Sequence, residues 1–321
     1  MKLSTIVKAN TLVSSKMNRN DPWKYVQVDE ADLRSNPYLN PSQKPDIKNP
    51  APTIDAAVAS PLVTISNAGN FLQLGNISCV DADGKVFEQY SALAVRKDIF
   101  RNGQDPINFT PYQAVVHCQG QGFLPSMALS CNIVAALFQL GVRLESGGTY
   151  TTINPEVRKV LDQYKDNGNG KGWHIQNTVI DYHRQKIVHY PYDVDFPAHG
   201  GTNNINSSHP RTELPFQKVS GMWPVKKTLE NMLLEEGLNH PLVSKFLKQF
   251  TGLADPSVLI KIGQYFQKPA MVWFPTNPVK AEDCTETRAA WFGCYSDDLN
   301  LGGNLNLDDR GAGRGVRRGG S

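Results

Sequence analysis

Cysteine is scarce in this chain and poorly spaced for chemistry. Five residues (Cys79, Cys118, Cys131, Cys284 and Cys294) occur in 321, an odd number with no CxxC pair. That argues against a disulfide scaffold and against a structural zinc site, and leaves buried thiols as the expected state. Long hydrophobic runs are missing too. Leu3 to Val13 is broken by Ser4, Thr5, Lys8, Asn10 and Thr11, and nothing approaches the roughly 20 apolar residues of a membrane span. A soluble chain made in the cytosol, without membrane insertion, is expected. Neither sign of charge dominates: 33 Lys and Arg face 30 Asp and Glu, a formal net charge of +3, too mild to imply a nucleic-acid partner alone. Gly-x-Ser-x-Gly, P-loop, His-Glu-x-x-His and Rossmann fingerprints are all absent, which removes the common routes to a nucleophile, a bound phosphate or a nicotinamide.

With 40% hydrophobic and 20% charged residues, the chain can bury a substantial core but is long for one minimal domain. Four stretches are expected. Residues 1–61 carry Pro22, Pro37, Pro41, Pro45, Pro50, Pro52 and Pro61 among polar residues and predict an extended N-terminal arm. Trp23, Tyr25 and Tyr38 favour a strap ordered against a neighbouring subunit over a disordered tail. Residues 62–141 open with β signals (Leu62–Ile65, Phe71–Leu74, Ile77–Val80, Val86–Phe87) around the turn Asp81-Ala82-Asp83-Gly84. That turn lacks the further ligands of a calcium loop. Two helices follow, one capped by Thr110-Pro111 and burying Ala114, Val115 and Cys118, the other starting after Ser126.

Residues 142–270 predict a mainly helical insertion. It holds a short helix over 155–164, the glycine-rich run 166–172, a hairpin from Trp173 to Tyr190 with its turn at Arg184-Gln185-Lys186, and three amphipathic helices. The first of these runs from Val225 through Leu229, Met232 and Leu233 to Gly237; the others begin at Pro241 and at Asp255-Pro256. Residues 271–321 end in a Gly/Arg-rich segment.

Four groups of residues could carry chemistry. His183, His189, Asp193, Asp195 and His199 form the densest set of possible metal ligands, but a hairpin with a polar loop explains them as well, and no metal or cofactor is expected. His117 beside Cys118 does not make a catalytic pair, because adjacent helical residues point about 100° apart. The end Arg310-Gly311-Ala312-Gly313-Arg314-Gly315-Val316-Arg317-Arg318-Gly319-Gly320 could serve as a flexible, sequence-independent RNA-binding tail. Asp308 and Asp309 precede it, however, and aromatics are missing from it. Finally, Phe109-Thr110-Pro111-Tyr112-Gln113-Ala114 through Cys118, with Gly122-Phe123-Leu124-Pro125-Ser126, forms a helix–turn signature in which Gly122 permits the turn and Ser126 caps the next helix.

This last signature resembles the helix and Leu-Pro-Thr/Ser turn of C-type-lectin-fold domains related to formylglycine-generating enzymes. Val316-Arg317-Arg318-Gly319-Gly320-Ser321 resembles their Val-x-Arg-Gly-Gly-Ser-Trp segment. Leu129-Ser130 stands where that family has Glu-Trp. The resemblance implies an α+β C-type-lectin-like domain, here expanded by the helical insertion and preceded by the arm and a short β region, with Ala114, Cys118, Leu124 and Pro125 fixing the scaffold. One branch of the family is catalytic and uses cysteines and copper near its C-terminal core. An oxidoreductase of that kind would need Cys284 and Cys294 to approach one another, or His183 and His189 to converge on a metal. The other branch comprises variable proteins of diversity-generating retroelements, including phage tail-tip receptor-binding proteins, in which the segment from Arg-Gly-Gly-Ser onward displays ligand-contacting residues. That branch implies a non-enzymatic virion or tail protein made in a host cytoplasm, either receptor-binding or structural, with other virion subunits and a host-surface receptor as partners and a homo-oligomer, possible as a trimer. Ser321 would mark the junction to a variable segment. The expected ligand-facing residues are Trp291, Tyr295, Asp297, Asp298, Arg317 and Arg318.

Overall fold

The computed structural model describes residues 64–103, 105–118, 122–166, 172–190, 211–218, 226–229, 241–275, 285–295 and 297–319. The expected arm over 1–61 therefore lies outside the described residues, as do Asp193, Asp195, His199, Cys284, Gly320 and Ser321. The described residues are mixed α+β and belong to one unit, Ala59–Ser321.

The β signals at the start make a meander. β1 (Thr64–Ala68), β2 (Phe71–Val80) and β3 (Val86–Arg96) pair antiparallel in sequence order. The turn between β2 and β3 is closed by Asp81, whose Oδ1 accepts the N–H groups of Asp83 and Lys85 at 2.9 Å each. The carboxylate is thus used as a turn cap. β3 does not stop at this local sheet. Its other edge takes the last strand of the described chain, β15 (Val316–Arg318), to complete the order β1-β2-β3-β15. The β region expected to precede the domain is therefore part of it, closed by the C-terminal segment.

After the short hairpin β4 (Arg101–Asn102) and β5 (Asp105–Pro106) come two helices, α1 (Pro111–Cys118) and α2 (Met127–Gly141). Thr110 and Gln113 cap α1 reciprocally: the Thr110 Oγ1 accepts the Gln113 N–H at 3.3 Å and the Gln113 Oε1 accepts the Thr110 N–H at 3.1 Å. α2 is apolar all round, which marks a helix buried on every side. Twelve of its 15 residues are buried, and it touches β2 of the small sheet, β8 and β13 of the large one, and three helices.

The large sheet contains seven strands in the order β10-β9-β8-β13-β14-β12-β11. They are β8 (His174–Asp181), β9 (Lys186–His189), β10 (Thr212–Pro215), β11 (Lys226–Thr228), β12 (Ala270–Trp273), β13 (Thr287–Tyr295) and β14 (Asp298–Leu305). All neighbours are antiparallel except β12 and β14. The remaining helices are α3 (Pro155–Lys165), α4 (Pro241–Thr251) and α5 (Val258–Phe266), and a hairpin of β6 (Val142–Leu144) and β7 (Tyr150–Thr152) follows α2.

Two expectations change here. Residues 142–270 are not a helical insertion beside a core, because β8 to β11 come from them and β8 is an interior strand of the large sheet, next to the central β13. The start of the helix expected from Val225 also changes: Lys226–Thr228 is a strand, drawn into register with Met271–Trp273 of β12, whose edge supplies backbone partners that a helical turn could not use, while Leu229 is helical and residues 230–240 lie outside the described residues. The hairpin turn lies at Tyr182–Gln185, slightly before Arg184-Gln185-Lys186, with Gln185 taking the positive φ of 53°.

Candidate functional site

The two segments that carry the family resemblance meet in space. Phe123 and Val316 form an antiparallel bridge: the Phe123 N–H donates to the Val316 carbonyl at 2.7 Å, and the Val316 N–H donates back at 3.0 Å. Gly122 makes the approach possible. Its φ is +141°, and a Cβ there would stand 2.2 Å from the Val316 carbonyl oxygen. Pro125 then leads into Ser126, whose Oγ accepts the Leu129 N–H at 3.0 Å and donates to the Glu88 carboxylate at 3.1 Å. Tyr90 donates to the other Glu88 oxygen at 2.8 Å. Burial pushes the Glu88 carboxyl above its usual range, and these two donors pull partly against that shift.

The chain running into β15 is fixed by burial rather than left loose. Residues 311–316 are all buried. Phe109 exchanges both backbone bonds with Gly311, and the Ile175 N–H donates to the Ala312 carbonyl at 3.0 Å. Gly313 and Gly315 lie against the rings of Phe100 and Phe109, and a Cβ on Gly315 would come within 2.9 Å of Phe100. Arg314, 1% exposed, donates to the carbonyls of Arg96 and Lys97 and to Gln163 Oε1, the last at 2.7 Å. Its guanidinium stands 5.2 Å from the Tyr164 ring centroid. The expected flexible Gly/Arg tail is thus a strap through the core. Of its four later arginines, Arg310, Arg317 and Arg318 are exposed and Arg314 is not.

The six residues expected to face a ligand divide between two sheets. Arg317 and Arg318 lie on β15 opposite Ala94 and Leu93, and Arg317 covers the Phe71 ring at 4.1 Å. The other four stand at the end of β13 and β14. Trp291 is 5% exposed, donates its indole N–H to Asn304 Oδ1 at 2.8 Å, and lies across Gly302, where a Cβ would collide with the indole. Tyr295 is 40% exposed and is paired across the hairpin with Asp298; Asp297 is exposed in the turn between them.

Sequence reasoning missed a third aromatic at this corner. Trp173 meets Trp291 edge to face with centroids 5.4 Å apart and Tyr295 at 6.3 Å. It is held there because the Gly172 N–H donates to the Cys294 carbonyl at 2.7 Å and Gly293, at φ +130°, lets the two backbones touch. The signal available is the Gly-Trp dipeptide, which local pattern reads only as the start of a hairpin. Among the six expected residues, the structure therefore brings Trp291, Tyr295, Asp297 and Asp298 to one corner and leaves Arg317 and Arg318 on the other sheet.

Among the described residues, the remaining candidates form no metal cluster. His183 is exposed in the β8–β9 turn, while His189 is buried. The His189 Nε2–H donates to the Gln249 carbonyl at 2.9 Å, so its Nδ1 accepts from the Thr178 hydroxyl at 2.8 Å, and that hydroxyl in turn accepts the Met127 N–H at the start of α2. Burial pushes the His189 pKa down to about 4, with the Gln249 contact opposing. No cluster of three His, Cys, Asp or Glu able to hold a metal occurs among the described residues. Cys118 and Cys294 are buried, and burial pushes the Cys294 thiol up to about 12. No helix among the described residues is long and apolar enough to cross a membrane. Comparison of the chain with protein-family models, curated proteins and solved structures finds no match.

Proposed function

We propose that this chain is a non-enzymatic virion or tail protein of a phage or prophage, a receptor-binding or structural scaffold with a C-type-lectin-type core, working as a homo-oligomer. The observation that carries this reading is the Phe123–Val316 bridge. Two motifs nearly two hundred residues apart resemble one family in order and polarity, and here they form a single pairing that needs Gly122.

The display surface in this reading is the aromatic corner. Trp291 on β13, a strand buried on both faces, and Trp173 beside it anchor the corner, and Tyr295 and Asp297 reach solvent. Rigid aromatic anchors with exposed polar neighbours suit a protein or glycan contact. Binding of RNA through the Gly/Arg end loses its premise, since that mode depends on a flexible segment and residues 311–316 are buried. An oxidoreductase built on Cys294 has weak support, since its thiol is buried and hard to ionise.

Mass spectrometry of particles purified from the producing host is the test. Peptides of this chain in stoichiometric amount within the particle are expected, with a trimer in light scattering of the isolated protein. A chain found only in the cytosolic fraction of a culture that sheds particles would overturn the assignment.

A further inference from the structure

Strand register gives the aromatic corner a box-like interior. Along β13, Trp291 and Tyr295 stand on one face of the sheet with Gly293 between them. His174 lies opposite Phe292, so the residue before it, Trp173, comes beside Gly293 on that same face. From the other flank, β14 places Asn300 opposite Gly293 and Asp298 opposite Tyr295. Gly293 is thus a bare floor, with Trp291 and Tyr295 at its two ends, Trp173 on one side and Asn300 on the other. A Cβ on Gly293 would stand 2.1 Å from the Gly172 carbonyl oxygen and push the Trp173 segment away.

The three rings are close to mutually perpendicular, at 79°, 79° and 83°, with centroids 5.4, 6.3 and 6.5 Å apart. A cation about 4.5 Å above each of two perpendicular ring faces requires centroids about 6.4 Å apart, a spacing that both Tyr295 pairs meet. Rings packed edge to face inside a core show similar angles, but such rings are buried alike. Here exposure rises from 5% at Trp291 to 40% at Tyr295, with Trp173 half-buried, so the box opens to solvent on the tyrosine side.

The polar wall points to the same chemistry. Asn300 is fully buried; its Nδ2 donates to the Asp298 carbonyl at 3.1 Å, while its Oδ1 has no hydrogen-bond partner. A buried acceptor without a donor favours positive charge beside it. Asp297 and Asp298 lie at the mouth, and Asp166, Lys165 and Lys268 act on the neighbouring Cys294. Among the described residues these are three carboxylates against two ammoniums. A lysine or arginine head carries three or five N–H donors that need acceptors in place of water, whereas the box offers three ring faces and one amide oxygen. A cation with methyl groups instead of N–H bonds fits that inventory.

We infer that the corner binds a quaternary ammonium head of the choline type, its methyl groups against Trp173, Trp291 and Tyr295 and its charge beside Asn300 Oδ1. The inference rests on the reading of this corner as the contact surface and names the chemistry it takes. The two fail separately: a chain present in particles that binds no choline removes this inference alone, and choline binding by a chain absent from particles removes the virion assignment alone.

Tryptophan fluorescence and titration calorimetry of the full chain at constant ionic strength test it, with choline, phosphocholine and the neutral isostere 3,3-dimethylbutan-1-ol as probes. Saturable choline binding is expected, with the isostere about tenfold weaker because it lacks the charge. Tyr295→Ala should weaken choline about tenfold and Tyr295→Phe should retain it, since the ring face rather than the hydroxyl makes the contact. Phosphocholine should bind less tightly than choline, because Asp297 and Asp298 repel its phosphate; tighter phosphocholine binding would support the same box and assign its source to a phosphocholine head. No saturable choline binding at tens of millimolar would overturn the inference. So would equal affinity for the isostere, or choline binding unchanged in Tyr295→Ala.

Discussion

Replacing Gly122 with alanine is expected to be among the most damaging single-methyl changes in this protein, for two separable reasons. The first is conformational: φ at Gly122 is +141°, a region that side chains with a Cβ rarely adopt, at a cost of about 1–3 kcal/mol. The second is steric. The new methyl would stand 2.2 Å from the Val316 carbonyl oxygen and 3.3 Å from the Arg317 Cβ, so β15 must move away. That movement breaks the two Phe123–Val316 backbone bonds, each worth about 0.5–1.5 kcal/mol net. The sum is about 2–6 kcal/mol, against a total stability of about 5–15 kcal/mol for an ordinary domain.

Gly84→Ala supplies the control. Gly84 also has positive φ, +80°, but nothing lies within 4 Å of where its Cβ would be, so only the left-handed penalty of about 1–2 kcal/mol applies. With a urea slope of about 3 kcal/mol per M, the midpoint should fall by about 0.7–2 M for Gly122→Ala and about 0.3–0.7 M for Gly84→Ala. Hydrogen exchange should localise the first effect, with protection lost at the Phe123 and Val316 amides. A Gly122→Ala midpoint no lower than that of Gly84→Ala, with those amides still protected, would refute the crossing of the two motif segments.

Arg314→Ala should cost about 2–5 kcal/mol, because it strands the carbonyls of Arg96 and Lys97 in the interior; an exposed tail arginine would change the urea midpoint by less than about 0.5 kcal/mol equivalent, and that result would restore the flexible-tail picture. Acid should destabilise the fold through His189. Its folded pKa of about 4 lies below the unfolded value, so the unfolded chain binds the extra proton first, and stability is lost from about pH 6.5 downward until the folded pKa is passed. Lowering the pH from 7 to 5 should cost about 2 kcal/mol from this one group. Glu88, raised by burial, works in the opposite direction over its own range, so the measurement is the difference in urea midpoints between wild type and His189→Gln at the two pH values. Equal pH slopes for the two proteins would contradict the buried, neutral histidine.

What was legible in the sequence was whatever local chemistry decides. The Thr110 cap, the Ser126 cap, the Asp81 turn and the β8–β9 hairpin all announce themselves through local residues, and each formed, the hairpin turn slightly earlier than expected. The strand Lys226–Thr228 did not, because its apolar spacing fits a helix and the reason for its extension lies across the sheet in β12, more than forty residues away. The candidate site divides in the same way. Trp291, Tyr295, Asp297 and Asp298 are close in sequence and came together. Arg317 and Arg318 were expected with them because they flank the segment that the resembled family uses for display, but backbone pairing with β3 holds them on the other sheet. Trp173 was missed because long-range pairing brings it to the corner, His174 standing opposite Phe292 and Gly172 bonding Cys294.

The composition of the C-terminal segment takes on a different meaning once its path is known. A Gly/Arg run suggests flexibility and phosphate binding, since glycine frees the backbone and arginine carries charge. Here the glycines serve close approach: Gly311 lies against Trp173 and Ile175, and Gly313 and Gly315 against Phe100 and Phe109. A strap that must pass between ring faces has no room for side chains. The arginine within it answers the opposite need. Where the strap crosses the end of β3, the carbonyls of Arg96 and Lys97 would otherwise be left in the interior, and the fork of Arg314 reaches both while also donating to Gln163. A lysine has one nitrogen with which to reach the three acceptors that Arg314 meets through two, so Arg314→Lys should fall between Arg314→Ala and wild type. Small residues for approach and one arginine for stranded carbonyls account for residues 311–316 by packing alone.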